Sequence, residues 1–114
     1  MRTKPAALGY LRTDVSGVQQ QWDETRIRSL AARLGYALRK TVAFGERTDQ
    51  PVERLVNVVR RLDAEAVVVP GPHHFEGHRI PAELVRVVDV ITVDPDATHA
   101  RTALGELPEL NGAP

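Results

Sequence analysis

The segment Ala6–Trp22 constrains the fold more than any other part of this 114-residue chain. It begins with six mostly apolar residues, Ala6–Leu11, which have the length and composition of a buried strand. A polar turn follows and leads into residues with helical spacing, so the segment predicts the first half of a βαβ unit. Ligands of open α/β sheets bind beyond the carboxyl ends of the strands. We therefore expect any site to have Arg12, Asp14 and Ser16 at its rim.

Three more strands and two more helices are predicted downstream. The β-branched run Ala66–Val69 is typical of a central parallel strand that is covered on both faces. Strands are also predicted over residues 36–44 and 90–93, and helices over residues 51–62 and 81–86. We therefore expect one α/β domain over residues 1–96, a small three-layer sandwich with a mostly parallel four-stranded sheet in the order βαβαβαβ. Residues 97–114 are expected to form a frayed C-terminal tail.

The first predicted helix begins near Ser16 and ends at Gly35. Ser16 is predicted to cap its N-terminus, and Gly35 is placed where a left-handed residue would end it. Trp22 is interpreted as a core or interface anchor, whereas Asp23 is assigned to the solvent-exposed face. The apolar residues at roughly helical spacing are Val18, Trp22, Ile27, Leu30, Ala31 and Leu34.

Composition excludes several classes of protein. Lys and Arg together balance Asp and Glu at 15 each, so no overall positive charge attracts the chain to nucleic acid. There is no cysteine, which removes disulfides and thiolate chemistry. No segment has the ~20 apolar residues of a membrane span, and the N-terminus lacks the apolar region of a signal peptide. We expect a cytoplasmic protein without a membrane contact or a cofactor.

The histidines after the third strand raise the question of a metal site. His74 and His78 are four residues apart, a spacing that suits a divalent metal only on a helix. Glu76 between them could add a carboxylate. However, the sequence Pro70–Pro72 and the glycine at Gly77 favour an irregular loop. We therefore expect no metal site here.

The layout of the chain matches one known arrangement over most of its length. The first strand contains Gly9–Arg12, a glutamine-bearing helix start follows, and Leu30–Gly35 leads into the second strand. A Pro-Val-x-x-Leu helix begins with Pro51–Leu55, and the strand Ala66–Val69 runs into a loop. From about residue 8 to residue 95 the chain thus resembles the catalytic domain of serine recombinases, the resolvase/invertase group. The resemblance implies a resolvase-like fold.

The resemblance also implies a chemistry, in which a serine hydroxyl attacks a DNA phosphodiester while several arginines stabilise the transition state. Arg12 matches the first arginine of the family's pattern Tyr-x-Arg-x-Ser. The serine position two residues later holds Asp14, which cannot form a phosphoserine and would repel phosphate. A second register, with two residues inserted after Arg12, places Ser16 at the nucleophile position but displaces the arginine.

Other positions of the family's pattern have lost their charged groups. Gln50 stands at the arginine of Asp-Arg-Pro. In the block Leu-Asp-Arg-Leu-x-Arg, His73 and His74 replace the aspartate and the arginine after it, and Gly77 replaces the last arginine. Removal of one electrostatic donor commonly costs ~10²–10³ in rate. We therefore expect a degenerate site without useful catalysis.

The leading hypothesis is a catalytically inactive resolvase-like domain that acts as a protein-binding or self-associating regulatory module, with weak or no DNA binding. One alternative is a minimal DNA phosphoryl-transfer enzyme that uses Ser16 and Arg12, with His73 or His74 as the base. Another is a small-ligand module that holds an anion at the start of the first helix through Arg12, Ser16 and Gly17.

Each of these residues also has a purely structural interpretation. Arg12 can form a salt bridge with Asp14 or Glu76. Asp14 or Ser16 can cap the helix that follows them. These structural roles are the simpler explanation of why polar residues stand at a strand-to-helix turn.

Overall fold

The structure, a computed structural model, describes residues 3–102. It confirms the predicted α/β class: the first four strands of the sheet are parallel, and helices cover both faces. The strands lie in the order β2-β1-β3-β4-β5, so β1 and β3 are central neighbours. The elements are β1 (Ala6–Arg12), α1 (Thr13–Ser16), α2 (Gln20–Arg33), β2 (Ala37–Phe44), α3 (Pro51–Leu62), β3 (Ala66–Val69), α4 (Ala82–Val85), β4 (Asp89–Thr92) and β5 (Ala97–His99).

The fifth strand corrects the prediction of a four-stranded sheet. β5 pairs antiparallel with β4, which makes the sheet mixed, and residues 97–99 therefore do not belong to a tail. The Thr92 hydroxyl donates a hydrogen bond to the carbonyl of Pro95, with the carbonyl of Ala97 at 3.5 Å, and so holds the reversal between the two strands. Such a short, half-exposed strand has no apolar periodicity from which it could be predicted. Residues 103–114 of the predicted tail lie outside the described residues.

Two apolar clusters lie on opposite faces of the sheet. On one face, α3 and α4 contribute Leu55, Val59 and Leu84 to a cluster with the inward side chains of β1 and β3. On the other face, Ile27 and Leu30 of α2 pack on Ala7, Leu11, Val68 and Ile91. All four residues of β3 are buried, as expected for a central parallel strand. The helices that follow β1 and β3 thus cover opposite faces, and the sheet has its topological switch point between these strands.

Gly9 allows α2 to lie close to the sheet. A Cβ atom at this position would lie 2.8 Å from Ile27 Cγ2 and 2.8 Å from Thr41 Oγ1. Both distances are shorter than van der Waals contact. The absence of a side chain therefore sets the separation between β1 and the helix.

The first predicted helix is broken near its start. α1 ends at Ser16, Gly17 has a positive φ of 54°, and a short 3₁₀ turn leads into α2. As a result, the predicted apolar stripe is only partly buried: Val18 is 97% and Trp22 57% exposed. Val18 and Leu34 are therefore not on the buried side of the helix, and of the two interpretations of Trp22, a core or an interface anchor, the core anchor is wrong.

The predicted end of this helix is confirmed. Gly35 has a φ of 86°, and its N–H donates to the Ala32 carbonyl at 3.1 Å. The N–H of Tyr36 donates to the Ala31 carbonyl at 2.9 Å. These two bonds form the Schellman motif, which ends a helix by satisfying its last carbonyls.

Candidate functional site

The switch point between β1 and β3 is filled by the side chain of His74. The loop after β3 turns back through a 3₁₀ turn over Pro72–His74, which carries the imidazole to the end of β1. There the backbone N–H of Arg12 donates a hydrogen bond to Nδ1 of His74 at 2.9 Å. Proteins with this strand order commonly bind ligands in this crevice. Here the chain's own imidazole bridges the two strand ends.

His74 is neutral in the folded protein. Its side chain is only 1% exposed, and burial lowers its pKa from 6.5 to about 4, with a further decrease from the neighbouring His73. The carboxylates of Asp23 and Asp14 oppose the shift without reversing it. Since Nδ1 accepts the Arg12 N–H, the single ring proton is on Nε2. The imidazole is therefore a hydrogen-bond donor through Nε2.

The guanidinium of Arg12 is engaged by Asp14. Its Nε and Nη2 atoms donate to the two carboxylate oxygens at 2.9 and 2.8 Å, a bidentate pair on the partly exposed rim. Of the two predicted salt-bridge partners, Asp14 and not Glu76 forms the contact. The charge that an anion would need is thus compensated by the carboxylate two residues away.

Ser16 forms a buried hydrogen bond and does not cap α2. It is 6% exposed, and its hydroxyl donates to Oδ2 of Asp23 at 2.6 Å. The residue before α2 is Gln19, and no side chain caps that helix, so the predicted cap is wrong. Asp23 is buried, so its predicted place on the solvent-exposed face of the helix is also wrong. Nothing in the local pattern distinguishes Asp23 from the exposed charged residues around it.

The other degenerate positions lie in exposed loops. Gln50 precedes α3 in the left-handed region, with a φ of 49°. Gly77 has a φ of 70° and is exposed, and His73 is also exposed. The Arg54 guanidinium, near Gln50, donates through Nε to the carbonyl of Asp49.

The structure therefore brings together only part of the predicted site. Arg12, Asp14 and His74 form one contact network at the end of β1. Among residues 3–102, neither His73 nor His74 forms a hydrogen bond with Ser16, whose hydroxyl is bound to a carboxylate. The same residues contain no group of three His, Asp or Glu side chains that could hold a metal ion. None of their helices has the length and apolar character needed to cross a membrane.

A groove that the sequence did not indicate opens beside this network. Its volume is about 900 Å³, and it lies between α3, α4 and the end of β1. Tyr10 and Phe75 line it with stacked rings whose centroids are 5.3 Å apart, and His74 lines it next to them. We call it the Tyr10 groove. A single Tyr in a strand and a single Phe in a loop give no sign in the sequence that they meet.

Comparison with known proteins gives no family for the chain: no protein-family model matches it, and no curated protein matches it. The resemblance to serine recombinases therefore stays a prediction.

Proposed function

We propose that the chain is a catalytically inactive resolvase-like domain that functions by associating with a second copy of itself. The observation that supports this most directly is that the Ser16 hydroxyl and the Arg12 guanidinium are each bound by a carboxylate. Asp23 binds the Ser16 hydroxyl, Asp14 binds the Arg12 guanidinium, and the Arg12 backbone binds one nitrogen of His74. Ser16 is only 6% exposed, and Arg12, which matches the family's first arginine, is paired with Asp14, so the hydroxyl is poorly placed to attack a DNA phosphate.

The surface proposed for association lies on the segment after β1. Val15, Val18 and Trp22 are 38%, 97% and 57% exposed, and within residues 3–102 they are three of the four large apolar side chains with high exposure. The guanidinium of Arg26 lies 5.9 Å from the centre of the Trp22 ring. Exposed tryptophan with a neighbouring arginine is the composition of an interface hot spot. We name these four residues the Trp22 face.

Charge favours a second copy as the partner. A twofold interface places the same surface on both sides, so the surface must be complementary to itself. Near Trp22 the chain carries both signs, with Glu24 two residues after it and Arg26 four residues after it. The net charge of zero means that two copies do not repel each other.

Sedimentation equilibrium tests the proposal. The wild-type chain is expected to dimerise, and Val18→Asp is expected to raise the dimer dissociation constant by at least tenfold, or about 1.4 kcal/mol, because it buries a charge in an apolar contact. Leu34→Asp is the matched control, since Leu34 is also exposed but lies at the far end of α2. A monomeric wild-type chain at about 100 µM, or equal effects of both substitutions, would contradict the proposal.

A further inference from the structure

The Tyr10 groove has the features of a small-molecule site. It lies beyond the carboxyl end of β1, where open α/β sheets bind their ligands. Its volume of about 900 Å³ is within the range of ligand pockets. Val52 and Val56 of α3 and Val87, after α4, supply its apolar lining. None of the residues of the Trp22 face lines it, so occupation of the groove and self-association involve separate surfaces.

Two polar atoms in the floor of the groove lack protein partners. Tyr10 and His74 are each 1% exposed, yet within residues 3–102 no side chain or backbone group forms a hydrogen bond with the Tyr10 hydroxyl or with Nε2 of His74. No fully occluded polar side-chain atom in this part of the chain lacks a partner, so both atoms retain contact with solvent. Since both residues line the groove, we infer that both atoms face into it.

Both atoms are hydrogen-bond donors at neutral pH. The tautomer of His74 places its proton on Nε2, and burial raises the pKa of Tyr10, which keeps its hydroxyl protonated. Next to them the rings of Tyr10 and Phe75 stack with an angle of 16° between their planes. The floor therefore presents two donors to a molecule that carries hydrogen-bond acceptors on one edge.

The charges around the groove favour an uncharged ligand. Arg12 is compensated by Asp14, as described above. Carboxylates outnumber guanidiniums among the remaining charged residues of the groove, so a phosphate group gains no net attraction there. These residues are Glu46, Glu53, Glu76 and Glu83 with Arg60 and Arg86.

We propose that the Tyr10 groove binds an uncharged, nucleobase-bearing molecule of nucleoside size, with acceptor atoms of the base at the Tyr10 hydroxyl and His74 Nε2. A nucleobase supplies flat apolar faces that the valine side chains can contact. Its ring nitrogens and carbonyl oxygens supply the acceptors. The valine walls and the two buried donors together would set the orientation of the base.

NMR titration of the full chain with adenosine, guanosine, cytidine and uridine tests this proposal. At least one nucleoside is expected to shift the side-chain signals of His74 Nε2 and Tyr10, and its 5′-monophosphate is expected to bind more weakly. Tyr10→Phe removes only the hydroxyl and keeps the ring stack, and it should weaken binding about threefold to tenfold, the effect of one hydrogen bond. Tyr36→Phe is the matched control, because Tyr36 does not line the groove.

Three results would overturn the proposal. The first is the absence of any shift at about 1 mM nucleoside, a concentration that detects even weak binding. The second is that the Tyr10→Phe and Tyr36→Phe variants bind the nucleoside with equal affinity. The third is tighter binding of the 5′-monophosphate than of the nucleoside, which would mean that the groove prefers an anionic ligand. If Tyr10→Phe does not fold, the location of the shifts in the wild-type spectrum decides: shifts confined to residues outside the groove refute the site.

Discussion

Acidification from neutral pH is expected to destabilise the fold through the buried imidazole of His74. Its pKa is about 4 in the folded protein and 6.5 in an unfolded chain. Between these values the unfolded chain takes up a proton that the folded chain does not. The contribution of the neutral His74 side chain to the unfolding free energy is therefore fully present above pH 6.5. It is lost as the pH decreases towards 4.

The size of the effect follows from the two pKa values. A difference of this size corresponds to at most about 3 kcal/mol of unfolding free energy. About 2 kcal/mol of it would be lost between neutral pH and about pH 5. Since the side chain is only 1% exposed, solvent screens this contribution little. For a domain of ordinary stability, such a loss is a large fraction of the total.

His74→Asn isolates this contribution. An Asn side-chain oxygen can still accept the Arg12 N–H, but the side chain no longer titrates. The smaller side chain lowers stability at every pH, so the quantity to compare is the change in unfolding free energy between neutral pH and about pH 5, measured by urea denaturation. We expect this change to be about 2 kcal/mol smaller in the variant than in the wild-type chain.

The control is the same substitution at an exposed histidine. His78 is exposed and has a φ of 55°, a conformation that Asn tolerates well. His78→Asn should retain the wild-type pH dependence. An equal pH dependence in the wild-type chain and His74→Asn would refute the reasoning, because it would mean that His74 is protonated in the folded protein at mildly acidic pH.

Two further predictions concern the packing of α2 and the absence of catalysis. Gly9→Ala should lower the unfolding free energy by about 1–3 kcal/mol, because its Cβ would lie 2.8 Å from Ile27 Cγ2. Thermal or urea denaturation measures this change. An unchanged unfolding free energy would show that α2 moves away from β1 without cost. Incubation with supercoiled plasmid should yield neither relaxed DNA nor a covalent protein–DNA adduct, and the Ser16→Ala variant should behave identically. An adduct at Ser16 would contradict the proposed inactivity.

Several elements could be predicted because their signals are local. The run Ala66–Val69 is buried on both faces since four successive apolar residues cannot alternate between core and solvent. Gly35 ends α2 because a left-handed residue is needed there and glycine adopts that conformation most easily. The pairing of Arg12 with Asp14 is also local, since the two residues are only two positions apart.

Other assignments failed because they depend on distant parts of the chain. Val18 has helical spacing, but the break at Gly17 and the position of α2 leave it exposed. β5 forms because β4 offers an unpaired edge, a fact that residues 97–99 do not reveal by themselves. Burial of a side chain depends on what covers it, and a periodic pattern does not contain that information.

The sequence by itself determined the class of the fold, the central strand and the end of the first long helix, because periodicity and glycine conformation act over a few residues. The tertiary structure alone decided the contacts of His74 and Ser16 near the carboxyl end of β1. His74 reaches the backbone of Arg12 across 62 residues of chain, and Asp23 turns inward to the Ser16 hydroxyl. The contact of His74 with Arg12 exists only after the sheet has placed β1 beside β3, since hydrogen bonds are made between atoms about 3 Å apart and not between positions in a sequence.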